Sequence, residues 1–230
     1  MLEERTLRFH VVTDAKPAPL DFHVKRIICA GFSGRSQEAV QGHVQELLAL
    51  GMPAPESTPI FFKVSNYLAT TATGITVQDR LTSGEVEVVL LFHHGDRYVT
   101  CGSDHTHRGL ERYSIPGAKQ MCPKILAPHV WRFSEVSENW DQLVLRSWST
   151  ADGLRDLYQE APLSHLLEPE RLLQEAERHG EVRRSGTIFM CGTVSTVGGR
   201  LVYADHFDFE LHDPIRSRTI HHSYDVSQLD

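Results

Sequence analysis

The stretch GEVEVVLLF, residues 84–92, constrains the fold of this chain most strongly, because β-forming residues fill it apart from one glycine and two glutamates. With the turn HHGD and the segment DRYVTCGSD that follow, it predicts a β-hairpin. Further β-forming segments lie on both sides of this hairpin. They are TLRFHVVT, PLDFHVKRIICAGFSGR, STPIFFKVSNYL, DQLVLRSWST, GTIFMCGTVS, DHFDFELHD and RTIHHSYDVS. The chain is therefore predicted to fold mainly as β-sheet.

Helical patterns are confined to two segments. In SQEAVQGHVQELLALGM, apolar residues recur at spacings of three and four, as in an amphipathic helix. PLSHLLEPERLLQEAERHG is also predicted to be helical, whereas the proline-containing stretch from residue 109 to DQLVLRSWST is predicted to be irregular. Because residues 150–185 are the most polar part of the chain, we expect a surface excursion there. This order of elements predicts a β-dominated α+β fold with a mixed or rolled sheet.

Composition is that of a globular protein and excludes several functions. The 230 residues suit one domain, and no apolar run approaches the length that a membrane helix needs. A net charge of −7 without a dense basic cluster gives no basis for binding nucleic acid. The amino terminus lacks the features of a secretory signal, and the 4 cysteines have no CxxC spacing. We expect a cytoplasmic protein with reduced cysteines and with neither a membrane nor a nucleic-acid partner.

Glu85 and Glu87 are the first candidates for a functional site. Residues two apart on a strand project to the same face, so strand rise places the two carboxylates about 7 Å apart. Like charges at this distance repel each other, and a divalent cation between them would remove the repulsion. Oxygen ligands of this kind suit Mg²⁺, Mn²⁺ or Ca²⁺. An isolated Glu-x-Glu pair is, however, also typical of a solvated sheet face.

The turn GSDHTHR adds one candidate to this site and suggests a rival site. Asp104 brings a third carboxylate within reach through the hairpin, although an Asp at this position is also typical of a turn. His105 and His107, with His206 as a further ligand, would form an imidazole site better suited to Zn²⁺ or Fe²⁺.

A helical pair and one lysine are further candidates. His43 and Glu46 lie three residues apart on one face of the first predicted helix, where the carboxylate can raise the basicity of the imidazole. Such a pair can deprotonate a water molecule, although an exposed ion pair is the simpler interpretation. Lys119, in GAKQMCPK, can meet a substrate carboxylate or an oxyanion, with a solvated surface lysine as the alternative.

Taken together and in order, HVQE, PIFFKV, GEVEVVLLF, SDHTHR, AKQ and CGTVSTVGG resemble the motifs of the fumarylacetoacetate hydrolase superfamily. That superfamily includes acylpyruvases, oxaloacetate decarboxylases and 2-oxo-acid hydratases. The resemblance implies a single domain over residues 1–230, with N-terminal strands over 1–24 and a catalytic core over 25–225. It also implies a mixed β-sandwich or roll with a few peripheral helices, of the type formed by the C-terminal domain of that superfamily, and a homodimer.

The resemblance implies that three residues hold a metal ion. Glu85, Glu87 and Asp104 match the carboxylates that bind Mg²⁺ or Mn²⁺, for which Ca²⁺ can substitute.

The resemblance also implies roles in binding substrate and in catalysis. Arg108 matches the arginine of the turn, Thr193 the threonine that borders the site, and Lys119 the lysine that contacts substrate. His43 and Glu46 match the pair on the lid helix that activates water.

Several departures from the motifs mark a divergent branch of the superfamily. The approach to His43 is longer than usual, His107 replaces an alanine, and CGTVSTVGG replaces TGTPxGVG. The separation of Glu87 and Asp104 is also short.

The implied function is a divalent-metal-dependent hydrolase or decarboxylase. It would cleave a C–C bond in a small oxo acid of the acylpyruvate or oxaloacetate type, through a metal-stabilised enolate. Two alternatives stay open at this point. One is a histidine-ligated iron or zinc β-barrel dioxygenase or isomerase, and the other is a non-catalytic metal- or ligand-binding module on the same fold.

Overall fold

Strands dominate the computed structural model of the chain, which describes residues 5–13, 16–49, 55–181 and 184–229. The strands are β1 (Arg5–Val11), β2 (Ala18–Val24), β3 (Arg26–Gly31), β4 (Ile60–Val64), β5 (Ala69–Thr70), β6 (Gly74–Val77), β7 (Thr82–Ser83), β8 (Val86–His93), β9 (Asp96–Asp104), β10 (Thr106–His107), β11 (Lys124–Leu126), β12 (His129–Arg132), β13 (Val144–Ala151), β14 (Leu154–Pro162), β15 (Thr187–Thr193), β16 (His206–Asp213) and β17 (Arg218–Gln228). The α-helices are α1 (Gln37–Ala49), α2 (Arg108–Glu111), α3 (Ile115–Gln120) and α4 (Pro169–Arg178). Short 3-10 turns cover residues 66–68, 133–135, 137–142, 163–165 and 197–199. No helix in these ranges is long and apolar enough to cross a membrane.

Most strands form one large mixed sheet in the order β2-β1-β12-β9-β8-β15-β3-β4, to which β11 and β5 attach through β9. A second sheet has the order β14-β13-β16-β17-β6, and β7 pairs with β10. The predicted hairpin is β8 and β9, which turn at His94 and Gly95. Both turn residues have positive φ, which is what a two-residue hairpin turn requires.

Two apolar clusters explain why the large sheet curls. One face of β8 contributes Val88 to a cluster shared with Phe209 of the second sheet. The other face contributes Val89 to a cluster that contains Phe9 of β1 and Phe62 of β4. Because β1 and β4 lie far apart in the strand order, the sheet must close around this second cluster. It forms a roll, and the second sheet packs against the outside of that roll.

The fold class predicted from the sequence is confirmed, since the chain forms a β-rich roll with a second sheet and a few helices. The first predicted helix is confirmed as α1, and the strand segments predicted at both ends of the chain are present as β1 to β3 and β15 to β17.

Two regions were predicted wrongly. The stretch after residue 109 was expected to be irregular, but it contains α3, β11 and β12, which are too short to give a periodic pattern. Residues 150–185 were expected to form a surface excursion, but β14 is an edge strand of the second sheet. The predicted helix in this region covers only Pro169–Arg178, and it buries Leu172, Leu173 and Ala176 in the core between the sheets.

Candidate metal centre

Three carboxylates meet at one end of the roll, on its inner face. Glu87 lies in β8, and Asp104 ends β9, where its amide donates to the Glu85 carbonyl over 2.9 Å. Alternation along β8 and the hairpin register therefore direct all three side chains to the same side. One oxygen from each carboxylate lies within 4.8 Å of the others. No other group of three His, Cys, Asp or Glu side chains in the described part of the chain is arranged this way.

Burial excludes the simpler interpretation of the glutamate pair. Glu87 is 1% exposed and Asp104 is fully buried, because β8 is covered on both faces. The solvated sheet face considered for this motif is therefore wrong for Glu87. The side chain of Glu85 is 20% exposed and lies at the edge of the cluster.

Glu87 is held in an environment that disfavours its charge. Burial, and then the neighbouring Asp104, raise the pKa of Glu87 well above its usual range. The Gly192 amide partly opposes this by donating to Glu87 Oε2 over 2.8 Å. Gly192 has a φ of +99°, which glycine adopts readily, and it lies at an irregularity in the pairing of β15 with β8.

Asp104 is held in the opposite way, by two ammonium groups. Lys119 Nζ lies 2.5 Å from Asp104 Oδ2, and Lys124 Nζ lies 2.7 Å from Asp104 Oδ1. Burial alone would raise the pKa of Asp104, but the two lysines outweigh it and hold the pKa below its usual range. Asp104 is therefore ionised throughout the neutral range.

Lys124 was not predicted from the sequence. It is fully buried, and its ammonium also donates to the carbonyls of His105 and Lys119 over 2.7 and 2.6 Å. Lys124 and Asp104 are direct cross-strand partners in the pairing of β11 with β9. The only sequence signal was a lysine that begins the short apolar run KIL, which is too weak to assign a site.

Arg108 and Lys119 lie beside the three carboxylates, and their roles towards a substrate stay predictions. Lys119 Nζ lies 3.7 Å from Glu85 Oε2, in addition to its contact with Asp104. Arg108 is buried, with Nη2 3.1 Å from Glu85 Oε1, and Nη1 donates to Glu111 Oε2 over 3.0 Å. Glu111 was missed by sequence reasoning. Within the described residues, Arg108 Nε is buried without a hydrogen-bond partner, which is uncommon for a buried polar atom.

Thr193 borders the site, but its hydroxyl is engaged by the protein. It lies opposite Glu87 in the sheet, donates to the Val86 carbonyl over 2.9 Å and accepts from Gln159 Nε2 over 2.8 Å. A direct role in substrate binding therefore stays a prediction.

The three histidines of the rival site have separate partners. His105 Nδ1 lies 2.8 Å from the Tyr224 hydroxyl, and His107 Nε2 lies 3.0 Å from Asp79 Oδ2. Burial, followed by nearby cations, lowers the pKa of His105 to about 3, so its imidazole is neutral.

His206 Nδ1 lies 2.7 Å from an oxygen of Asp225, on the second sheet. The structure therefore does not bring His105, His107 and His206 together. Among the described residues these three histidines form no metal site, so the prediction of an imidazole site is wrong. The predicted pair His43 and Glu46 belongs to α1, but the two side chains lie outside the described residues.

The donor set fits a hard divalent cation. Three carboxylates at this spacing supply oxygen ligands, and a cation would relieve the repulsion that raises the pKa of Glu87. Within the part of the chain that the structure describes, no cysteine joins the group of three side chains that could hold a metal ion.

A family model described as a protein of unknown function, DUF2848, matches residues 30–224. The chain belongs to the DUF2848 family. No curated protein matches this DUF2848 chain.

Solved structures share the fold of the DUF2848 chain at low sequence identity. Fumarylpyruvate hydrolase from Pseudomonas aeruginosa, in complex with Mn²⁺ and pyruvate, is similar with a TM-score of 0.68 and 14% identity, over 100% of this chain and 99% of that one. A 5-carboxymethyl-2-hydroxymuconate delta-isomerase from Mycobacterium smegmatis is similar with a TM-score of 0.63 and 16% identity, over 95% and 83% of the two chains.

A protein proposed to belong to the fumarylacetoacetate hydrolase family, from Yersinia pestis CO92, is also similar to the DUF2848 chain. Its TM-score is 0.63 and its identity 16%, over 95% of this chain and 100% of that one. These comparisons confirm the resemblance to the fumarylacetoacetate hydrolase superfamily at the level of the fold.

Proposed function

We propose that this DUF2848 chain is a divalent-metal-dependent hydrolase or decarboxylase that cleaves a C–C bond in a small oxo acid. The observation that carries the proposal is the convergence of Glu85, Glu87 and Asp104 within 4.8 Å at the end of the roll. The fold it shares with a hydrolase that binds Mn²⁺ and pyruvate, itself a 2-oxo acid, supports this choice of ligand.

Glu85, Glu87 and Asp104 would hold Mg²⁺ or Mn²⁺, with Ca²⁺ as a substitute. When bound, such an ion supplies a Lewis acid that polarises a carbonyl and stabilises an enolate. Each oxygen of Asp104 contacts one ammonium, Oδ1 that of Lys124 and Oδ2 that of Lys119.

The charges around the triad support an anionic substrate. If Glu111 and the triad are ionised, their four negative charges face the three positive charges of Lys119, Lys124 and Arg108. The net charge of −1 becomes +1 with a divalent ion, and a single substrate carboxylate neutralises it. A 2-oxo acid therefore suits this site better than a neutral or cationic substrate.

The remaining steps use groups of this chain. Lys119 and Arg108 would bind the carboxylate and the developing enolate oxygen, because both are cationic, buried and next to Glu85. His43 and Glu46 would generate hydroxide for hydrolysis. Without such a pair the site would favour decarboxylation or tautomerisation, since both need only the enolate to be stabilised.

The proposal is tested by Mn²⁺ binding and turnover in three variants. Glu85→Gln and Asp104→Asn should each abolish tight Mn²⁺ binding in calorimetry and the release of pyruvate from oxaloacetate or acylpyruvates. Asp21→Asn is the control, because this exposed carboxylate of β2 pairs with Arg8 of β1, outside the site. Unchanged binding and turnover in Glu85→Gln and Asp104→Asn would refute the proposal. Metal binding without turnover of any oxo acid would instead support a non-catalytic binding module.

We further propose that the protein is a cytoplasmic homodimer, as the superfamily resemblance implies. Light scattering coupled to gel filtration should give twice the chain mass of 26.0 kDa. A mass equal to that of one chain would contradict this.

A further inference from the structure

An irregularity in β14 turns two consecutive side chains inward. In the pairing with β13, Ser147 lies opposite Gln159 and Trp148 lies opposite Leu157, so Tyr158 is an extra residue. Side chains alternate between faces in a regular strand, yet Tyr158 and Gln159 are both buried. This β-bulge directs two neighbouring polar side chains from the second sheet towards the large sheet.

The amide of Gln159 uses every hydrogen bond that it can make. Its Oε1 accepts from the Val86 amide over 3.0 Å and from Ser147 Oγ over 3.1 Å. Its Nε2 donates to Thr193 Oγ1 over 2.8 Å and to the Val194 carbonyl over 2.6 Å. Because a carboxamide has two donor hydrogens and two acceptor lone pairs, the orientation of Gln159 is fully determined.

These contacts lie on both sides of Glu87. Val86 is the residue between Glu85 and Glu87, and Thr193 lies opposite Glu87 on the neighbouring strand. Thr193 in turn donates to the Val86 carbonyl over 2.9 Å. Gln159 and Thr193 therefore bind the amide and the carbonyl of the one residue that separates the two candidate ligands.

Tyr158 binds the chain just before Glu85. Its hydroxyl lies 3.0 Å from Ser83 Oγ, and the Ser83 hydroxyl also donates to the Gly84 carbonyl over 3.2 Å. A Cβ on Gly84 would lie 2.7 Å from the Tyr224 hydroxyl, so only glycine lets the backbone approach the second sheet this closely.

Apolar packing does not account for this choice of residues. Gln159 is 1% exposed, and burying an amide in a core costs free energy unless its hydrogen bonds are made. A leucine would fill similar volume without that cost. A polar network that is fully satisfied instead specifies one arrangement of the groups that it joins.

We propose that Gln159, assisted by Tyr158, is a positioning residue that fixes the backbone carrying Glu85 and Glu87. The expected effect of Gln159 on metal binding rests on the proposed function. Its hydrogen bonds to the backbone of the segment do not. The second sheet is thereby a functional part of the site, although it supplies none of the three carboxylates.

Gln159→Leu tests the proposal in two independent measurements. In metal-free protein with EDTA, hydrogen exchange of the Val86 amide should be about tenfold faster, because its acceptor is lost. The Mn²⁺ dissociation constant, measured by electron paramagnetic resonance of free Mn²⁺, should rise about tenfold. Leu211→Ala is the control, since it weakens the core of the second sheet without touching this network. It should not speed exchange at the Val86 amide more than at other amides, and it should leave the Mn²⁺ dissociation constant unchanged.

The outcomes separate this inference from the proposed function. Wild-type exchange at Val86 together with wild-type Mn²⁺ affinity in Gln159→Leu would overturn the inference. If the wild-type protein binds no Mn²⁺, the proposed function fails, and the exchange rate alone decides whether Gln159 fixes the segment. Tyr158→Phe keeps the ring and removes only the hydroxyl, so it provides the test if Gln159→Leu does not fold. Faster exchange at Gly84 and Glu85 would support the inference, and unchanged exchange would overturn the role of Tyr158.

Discussion

Replacing Lys124 with methionine tests how the buried charges hold the site together. Methionine has a similar length and no charge, so the substitution removes the ammonium and leaves most of the packing. The ammonium has three hydrogens and three partners, namely Asp104 Oδ1 at 2.7 Å, the His105 carbonyl at 2.7 Å and the Lys119 carbonyl at 2.6 Å. All three acceptors lose a donor, and Asp104 keeps only Lys119 as a cation.

The expected loss of stability is large because nothing replaces these contacts. Hydrogen bonds to charged groups contribute about 1.5–3 kcal/mol each, and removing one partner of a buried ion pair costs about 3–5 kcal/mol. These contributions overlap, so we expect Lys124→Met to lower the free energy of unfolding by about 3–5 kcal/mol. A double-mutant cycle with Asp104→Asn should give a coupling energy of about 2–3 kcal/mol, since both variants disrupt the same pair.

Urea unfolding in EDTA near neutral pH, followed by tryptophan fluorescence, measures these values. Lys63→Met is the matched control, because Lys63 Nζ lies 2.6 Å from Glu181 but its side chain is 68% exposed. Exposed ion pairs contribute about 0–1 kcal/mol, so this control should change stability little. A cost for Lys124→Met as small as that of Lys63→Met, or strict additivity in the cycle, would refute the reasoning.

Three further predictions follow from Glu87 and Gly192. Because burial and Asp104 raise the pKa of Glu87, its contribution to stability is present below the unfolded pKa and lost as pH rises through the raised native value. Glu87→Gln should therefore gain stability relative to wild type as pH rises above the unfolded pKa of a glutamate, in urea unfolding with EDTA, and a difference that does not change with pH would contradict this. For the same reason, Mn²⁺ binding should release a proton from Glu87, and the affinity for Mn²⁺ should rise with pH. Calorimetry in buffers of different ionisation enthalpy detects the released proton, and an affinity that does not change with pH would contradict this prediction. Gly192→Ala should cost more than about 2 kcal/mol in thermal unfolding, because its Cβ would lie 1.9 Å from Ser33 Oγ, whereas Gly199→Ala, also at positive φ but in open space, should cost about 1 kcal/mol.

The parts of the site that the sequence predicted are those set by local geometry. Alternation along one strand places Glu85 and Glu87 on the same face, and a two-residue turn fixes which residue of β9 lies opposite them. Asp104 could therefore be predicted as the third carboxylate. The burial of Glu87 could not, because it depends on strands that are distant in sequence and that close the roll around that face.

The parts that the sequence did not predict depend on distant or irregular contacts. Lys124 reaches Asp104 through the pairing of β11 with β9, in a stretch whose elements are too short for a periodic signal. Gln159 reaches Val86 only because the bulge at Tyr158 reverses the alternation of β14. In regular alternation one of these two neighbours would face solvent, so a pattern-based prediction places at most one of them inside.

The two buried lysines act differently on the same carboxylate, and this difference bears on how the site can work. Lys124 is fully buried and has all three donors engaged, so it is a fixed charge that orients Asp104. Lys119 lies between Asp104 and Glu85, at 2.5 and 3.7 Å, which are two of the three carboxylates that a cation would share. A cation and the Lys119 ammonium therefore compete for the same oxygens. Binding of a divalent ion would release Lys119 from part of its present role, and the charge thus freed lies where an anionic substrate would bind.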